Sequence, residues 1–186
     1  PETLLIPLYA RARESLRPDA LIVDEKAVAL VTQSSFDVTR ASRVARHESL
    51  NAMRMMQTRE FDRRARDFLA RHPAGVVVHL GCGLDTRYGR VCTGHPEVSQ
   101  PEWYDLDLPE VIRLRRELIG EEGGGYHLLG CSMFEEAWLD AMSAHRRRPI
   151  LVLAESVLVY FEEAQIRSLV EALLDHGADS QRGDLQ

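Results

Sequence analysis

What this sequence has little of narrows it first. Lysine is almost missing: of 23 basic residues only Lys26 is not arginine, a skew that GC-rich genomes impose, and a bacterial source is expected. Cys82, Cys92 and Cys131 are an odd number without CxxC spacing, which argues against a disulfide framework or a zinc site and fits a reducing cytoplasm. No apolar run approaches the roughly 20 residues of a membrane span. Residues 1–9 carry no basic stretch ahead of their apolar positions, so no export signal and no membrane partner are expected. Concentrated positive charge is absent as well: the net charge is −6 and the arginines are spread out, which weighs against a nucleic-acid partner. No internal repeat occurs. What remains, 186 residues with 45% hydrophobic and 28% charged, suits one compact soluble domain with a sizeable core.

The organising stretch is residues 76–87, where Val76-Val77-Val78-His79-Leu80 runs into Gly81-Cys82-Gly83 and then Asp85 and Thr86. A short buried strand ending in a turn without side-chain bulk is how an open α/β sheet brings its backbone against a nucleotide-like ligand. Upstream, residues 1–39 read as helical turns joined by loops. Residues 40–71 lack proline and glycine and carry Phe61, Ala65, Phe68 and Leu69 at amphipathic-helix spacing. Downstream the pattern predicts strands at 76–80, 102–106, 126–129 and 150–154. Helices are expected after the glycine turn, from Pro109, around 134–142 and over 162–175, the last stopped by Gly177. A breaker-rich loop is expected over 93–101, and residues 145–149, a run of basic residues ending in proline, read as a solvated loop. Strands alternating with helices imply βαβ units and a parallel sheet.

Ligands of such sheets sit at the carboxyl ends of the strands, near the topological switch point. Four places qualify: Gly81-Cys82-Gly83, the pair Asp105 and Asp107 that lies 22 and 24 residues after Gly83, Gly130-Cys131-Ser132, and Glu155. Each has a plain structural alternative. The glycines can simply make a tight turn, and Asp105, Asp107 or Ser132 can cap a helix. Glu155 is the hardest to dismiss, because a carboxylate closing an apolar strand must be hydrated, paired or bound. A dinucleotide site wants glycine or alanine three residues after the second glycine, where this chain has Thr86. An adenosine ligand without a pyrophosphate, such as S-adenosylmethionine, needs only the glycine approach and a ribose carboxylate.

Three ordered segments now carry a resemblance: residues 79–87, residues 103–112 (Trp103-Tyr104-Asp105-Leu106-Asp107-Leu108-Pro109-Glu110-Val111-Ile112) and residues 153–160 (Leu153-Ala154-Glu155-Ser156-Val157-Leu158-Val159-Tyr160). Together they resemble the leucine carboxyl methyltransferase family, in particular its bacterial polyketide O-methyltransferase-like branch, over roughly residues 3–175. The resemblance implies an α/β, Rossmann-like class I methyltransferase fold that uses S-adenosylmethionine to methylate a hydroxyl or carboxylate of a small-molecule acceptor. By family pattern Gly81 and Gly83, with Cys82 between them, pass the methionine part. Asp107, with Asp105 close by, takes the ribose hydroxyls. Cys131 and Ser132 flank the adenine, and Glu155 lies at the methionine end.

The sequence also departs from that pattern. The family's arginine for the cofactor carboxylate falls near residues 58–62, and its place holds Gln57, with Arg59 two residues on. A neutral amide does not replace a bidentate arginine, so either Arg59 takes over or affinity falls. Ser156 stands where the branch commonly has glycine, and Gly123-Gly124-Gly125 replaces an arginine-containing turn. The family fold continues through strands beyond the helix expected to end near Asp175. The expectation is therefore a sheet truncated at its C-terminal strands, its fourth strand an exposed edge unless a partner, such as a second copy of the chain, covers it; a fragment, an altered C-terminus and an obligate homo-oligomer all fit the sequence.

In this reading residues 1–57 form a helical cap over the acceptor, lined by Tyr9, Arg11, Arg13 and Phe36, and residues 58–186 form the cofactor-binding core of one compact domain. His79 and His127 fall inside strands and read as structural, so no catalytic base and no metal ligand are assigned. The rival readings are a methyltransferase-like binding protein without turnover and, further off, a nicotinamide oxidoreductase.

Overall fold

The computed structural model describes residues 2–33, 38–44, 48–93, 95 and 101–182; Phe36 and residues 96–100 of the expected loop lie outside them. The run at the centre of the sequence is also the centre of the sheet: β1 (Val76–Leu80) is buried at all five positions because it is flanked on both sides. It pairs in parallel with β2 (Glu102–Asp107), Val77 opposite Trp103, and with β4 (Ile150–Leu153), Val77 opposite Leu151. β3 (Tyr126–Gly130) adds outside β2, giving the order β3-β2-β1-β4. The chain thus lays strands to one side of β1 and then crosses to the other. That reversal puts the switch point between the carboxyl ends of β1 and β4.

Side-chain alternation along β1 feeds two layers. Val77 faces the long helix α4 (Glu48–Arg71), where Ala65 and Leu69 pack with Trp103, Tyr88 and Leu153. Val76, Val78 and Leu80 face the other way, onto Trp138 and Met142 of α7 (Ala137–Met142) and Leu169 of α8 (Glu163–Arg182). Trp103 and Trp138 are almost wholly enclosed, and burial of side chains of that size contributes about 1.5–3 kcal/mol each. The remaining core joins α1 (Glu2–Ser15) and α2 (Glu25–Gln33) through Leu8, Ala12 and Ala27 to Leu84 of the glycine turn. A short α3 (Thr39–Val44) packs on α1.

Some elements differ from expectation. The boundary expected at residue 57 falls inside α4, so cap and core share one continuous helix. The last helix runs through Gly177 to Arg182. A helix-interior glycine costs only about 1 kcal/mol and stops a helix only where the chain turns left-handed. Gly120 does that: at φ +78° it follows α6 (Pro109–Leu118), the helix expected from Pro109. Residues 145–149 are not uniformly solvated. His145 Nε2 lies 2.7 Å from the Tyr104 hydroxyl, and the Arg148 guanidinium hydrogen-bonds the Ala74 carbonyl, while Arg146 and Arg147 are exposed.

Candidate functional site

The glycine turn follows directly from its backbone. Gly81 at φ +64° and Gly83 at φ +51° occupy the left-handed region that side chains disfavour, and the turn they make returns the chain into α5 (Arg87–Cys92). Asp107, at the end of β2, holds the turn: its Oδ2 accepts the Gly83 N–H at 2.8 Å and its Oδ1 the Leu108 N–H at 2.8 Å. The Asp107 side chain is half-buried at the crevice rim, and carboxylate oxygens have capacity for further donors. Both glycines are approached by side chains. A Cβ on Gly81 would lie 2.4 Å from Val157 Cγ2, and one on Gly83 would lie 3.2 Å from Leu4 Cδ2.

Asp105 has a different place from its neighbour. It is buried beneath the turn, accepting hydrogen bonds from Arg115, the Tyr126 hydroxyl at 2.6 Å and Trp103 Nε1 at 2.9 Å. Burial alone would raise its pKa, but Arg115, His79 and Tyr126 outweigh burial and hold it at about 2. Arg115 in turn donates to the Gly83 carbonyl at 3.0 Å. Asp105 therefore fixes the turn from below, with its oxygens already engaged, and only Asp107 of the pair faces the crevice.

Glu155, directly after β4, is a largely buried member of a charge cluster. Its Oε1 accepts from the Thr58 hydroxyl of α4 at 2.8 Å and its Oε2 from Arg87 Nη2. Arg87, wholly buried, also donates to Asp62 Oδ1 at 2.7 Å, lies 3.2 Å from Asp85 Oδ2 and sits over the Phe61 ring. Arg90 joins Asp62, Asp85 and Asp24, and Arg11 joins Asp24 and the Leu84 carbonyl at 2.8 Å. Arg11 is therefore a buried strut between α1 and the turn, not an exposed residue lining an acceptor site. Asp85 is pulled well below the ordinary carboxylate range because Arg87, Arg90 and Arg11 outweigh burial. The cluster sets three guanidiniums against four carboxylates, and Glu155 carries the surplus charge at the crevice.

His79 connects this cluster with Asp105. Arginine only donates, so the 3.2 Å contact from Arg87 Nη1 makes His79 Nε2 an acceptor and places the ring proton on Nδ1, 3.3 Å from Asp105 Oδ1. Thr86, the residue that weakened the dinucleotide reading, donates its hydroxyl to Asp24 and makes no side-chain cap to α5.

The remaining expected residues are placed as follows. Cys82 is buried in the turn, its N–H bonded to the Leu106 carbonyl at 3.1 Å, and burial raises its thiol pKa well above the ordinary value. Cys131 follows β3 with its N–H on the Asp107 carbonyl at 3.1 Å, which keeps it beside the end of β2. Ser132 exchanges hydrogen bonds with Glu135, N–H to Oε1 at 3.1 Å and Glu135 N–H to the Ser132 carbonyl at 3.1 Å, a capping arrangement ahead of α7. The structure places Gly81 and Gly83 just after β1, Asp107 at the end of the adjacent β2 with its carboxylate on the Gly83 N–H, and Glu155 just after β4 on the other side of β1. It does not bring Arg59 to these strand ends: that side chain is exposed and lines a separate cleft of about 220 Å³ with Asp62, Arg66, Arg90 and His95.

The residues that sequence reasoning missed are Thr58, Asp62, Asp85, Arg87 and Arg54. Thr58, Asp62, Ala65 and Leu69 share the buried stripe of α4, so polar residues interrupting an apolar stripe were the available signal. Arg54 is on the same helix, one turn before Thr58, and its Nη1 is buried with no acceptor. The polar groups at the strand ends suit an amino-acid nucleoside: the Asp107 carboxylate can accept ribose hydroxyls and the Glu155 carboxylate an ammonium. Among the described residues no group of three or more His, Cys, Asp or Glu is placed to hold a metal ion, and no helix is long and apolar enough to cross a membrane.

An open parallel sheet whose glycine turn and acidic strand ends meet at its switch point defines a Rossmann-like protein of the class I methyltransferase type. The chain belongs to the leucine carboxyl methyltransferase family, whose profile matches residues 5–174. It is 37% identical over 175 residues to the tetracenomycin polyketide synthesis O-methyltransferase TcmP of Streptomyces glaucescens, covering 94% of this chain and 61% of that protein. It is 31% identical over 189 residues to the S-adenosyl-L-methionine-dependent methyltransferase dpfgK of Gibberella zeae, with 96% and 62% covered. A putative S-adenosyl-L-methionine-dependent methyltransferase of Parafrankia is 31% identical over 180 residues, with 88% and 56% covered. The chain thus spans about three fifths of the length of the curated relatives it matches.

Proposed function

We propose that this chain carries the cofactor site of an S-adenosylmethionine-dependent O-methyltransferase acting on a small-molecule hydroxyl or carboxylate. What supports the reading is that Gly81, Gly83, Asp107 and Glu155 stand at the carboxyl ends of three neighbouring strands, β2, β1 and β4, with Asp107 bonded to the Gly83 N–H. S-adenosylmethionine supplies a methyl group already activated on a sulfonium. The chain's own task is then alignment and exclusion of water. Asp107 accepts the ribose hydroxyls, Cys131 and Ser132 bound the adenine end, and Glu155, held by Thr58 and Arg87, faces the ammonium. Helices α1 to α3 lie on the acceptor side. The name of the Streptomyces glaucescens relative, a polyketide synthesis O-methyltransferase, supports oxygen as the accepting atom.

Calorimetry with S-adenosylhomocysteine tests the cofactor half of this reading; the expected result is saturable binding that Asp107→Ala weakens by about tenfold, the worth of one hydrogen-bonding carboxylate. No heat and no thermal shift with either form of the cofactor would refute it. A second reading, binding without turnover, is favoured by one contact: Val157 and Leu4 rest on the two glycines that the cofactor would approach. Labelled methyl transfer to phenolic and carboxylate acceptors separates the two. The open edge of β4 carries the further expectation of a second copy of the chain, which sedimentation of a monomer at micromolar concentration would remove.

A further inference from the structure

The arginines of α4 are matched unevenly. Arg63 and Arg64, on its exposed side, meet the carboxylates of Glu60 and Asp67 at 2.5–2.8 Å. Arg59 and Arg66 meet none. Arg59 is exposed and takes part in no hydrogen bond or ion pair among the described residues, and Arg66 makes one hydrogen bond, to the Arg90 carbonyl at 3.3 Å. Both line the cleft of about 220 Å³, whose lining comes from α4, Arg90, His95 and the segment 21–23 ahead of α2. The carboxylate of that lining, Asp62, is already engaged: its Oδ1 accepts from Arg87 and Arg90 and its Oδ2 from Arg90. Arg90 is held in turn by Asp24, Asp62 and Asp85. The cleft therefore collects two unmatched cations on a chain whose net charge is −6. In a concave site such charge is focused, and an anion relieves it. Arg59 and Arg66 are seven residues apart, on one side of the helix and about 10 Å apart along its axis, so two long side chains can close on one ligand from either end.

We propose that this cleft binds a small phosphomonoester, at a site separate from the strand ends where Gly81, Asp107 and Glu155 stand. A single guanidinium fork takes both oxygens of a carboxylate, so a carboxylate ligand would leave the second arginine unmatched. A phosphoryl group presents three acceptor oxygens and roughly two negative charges at neutral pH, which engages both Arg59 and Arg66. The ester side of the ligand has its own place. Leu21, Ile22 and Val23 supply an apolar part of the lining, and Val23 is 61% exposed. An apolar group packed against Val23 removes surface of both from water. The cleft thus reads as a phosphate position on α4 beside a small apolar position on segment 21–23.

Titration calorimetry at constant ionic strength with inorganic phosphate, phenyl phosphate and acetate tests the site. Inorganic phosphate is expected to bind saturably at millimolar concentration, phenyl phosphate about tenfold more tightly and acetate at least about tenfold more weakly. Arg59→Gln and Arg66→Gln are each expected to weaken phosphate by about tenfold or more, because each removes a charge-assisted contact. Arg64→Gln, on the exposed side of the helix, is expected to leave phosphate within about twofold. Arg59 has no partner to lose, so Arg59→Gln should keep the wild-type melting temperature, which separates lost binding from lost folding. Excess S-adenosylhomocysteine should leave the phosphate titration unchanged. No saturable phosphate binding, an equal affinity for acetate, phenyl phosphate no tighter than inorganic phosphate, an Arg64→Gln loss as large as that of Arg59→Gln, or displacement by S-adenosylhomocysteine would each overturn the assignment.

Discussion

Arg87 shows how much of this site is held from beneath. Its side chain is fully enclosed and satisfied by Asp62, Asp85, Glu155 and His79, so removing it strands several carboxylates in the interior. Arg87→Ala is expected to lower stability by about 3–5 kcal/mol in urea unfolding; a loss below about 1 kcal/mol would mean that water reaches the cluster. Ser156 is a smaller case. At φ +57° it is the one non-glycine residue with a left-handed backbone among the described residues. Ser156→Val should cost about 1–2 kcal/mol, while Ser156→Gly should not destabilise, as thermal melting would show. At this scale Gly81, Gly83, Asp107 and Glu155 were legible in the sequence because each is fixed by its place at a strand end. Arg11 and Asp62 were not legible. Their roles depend on partners 13 to 73 residues away.

The elements were legible wherever one period dominated. All four strands appear where the apolar runs placed them, and α6 ends at Leu118, just ahead of the left-handed Gly120. Local turn chemistry was less readable at Gly177, because glycine permits a left-handed stop without requiring one. The turn after β1 is the element on which most depends. Gly81→Ala there meets two penalties, a left-handed backbone and a Cβ overlapping Val157, and is expected to cost about 2–4 kcal/mol. Adding Val157→Gly should return only the overlap part, measurable as favourable coupling in a double-mutant cycle by urea unfolding. Full additivity would show that Val157 does not rest on the turn in solution.

For the whole molecule, the charge cluster ties five separate parts of the chain together: α1, Asp24 ahead of α2, α4, the turn with α5, and the residue after β4. This predicts its acid response. Asp105 has a folded pKa of about 2, below the ordinary value of 3.8, so its contribution is complete above about pH 4 and is lost as pH falls through 2. That difference is worth about 2 kcal/mol. Asp24 and Asp85 are shifted in the same direction by Arg11, Arg87 and Arg90, which outweigh burial, and add to the slope. Urea midpoints should therefore be level down to about pH 4 and fall steeply below it, and Asp105→Asn should flatten that fall; a midpoint declining steadily from pH 6 would contradict the cluster. Fold class was legible at this scale because strand and helix alternate in order. The cross-ties were not, since nothing in a single sequence says which distant arginine meets which aspartate. The decisive observation for the crevice between β1 and β4 is a crystal structure grown with S-adenosylhomocysteine. The expected density has the ribose on Asp107 and the amino-acid end between Gly81 and Glu155, with Val157 and Leu4 drawn back. Density in the clefts along α4 instead, or a crevice still closed over both glycines at saturating ligand, would contradict it.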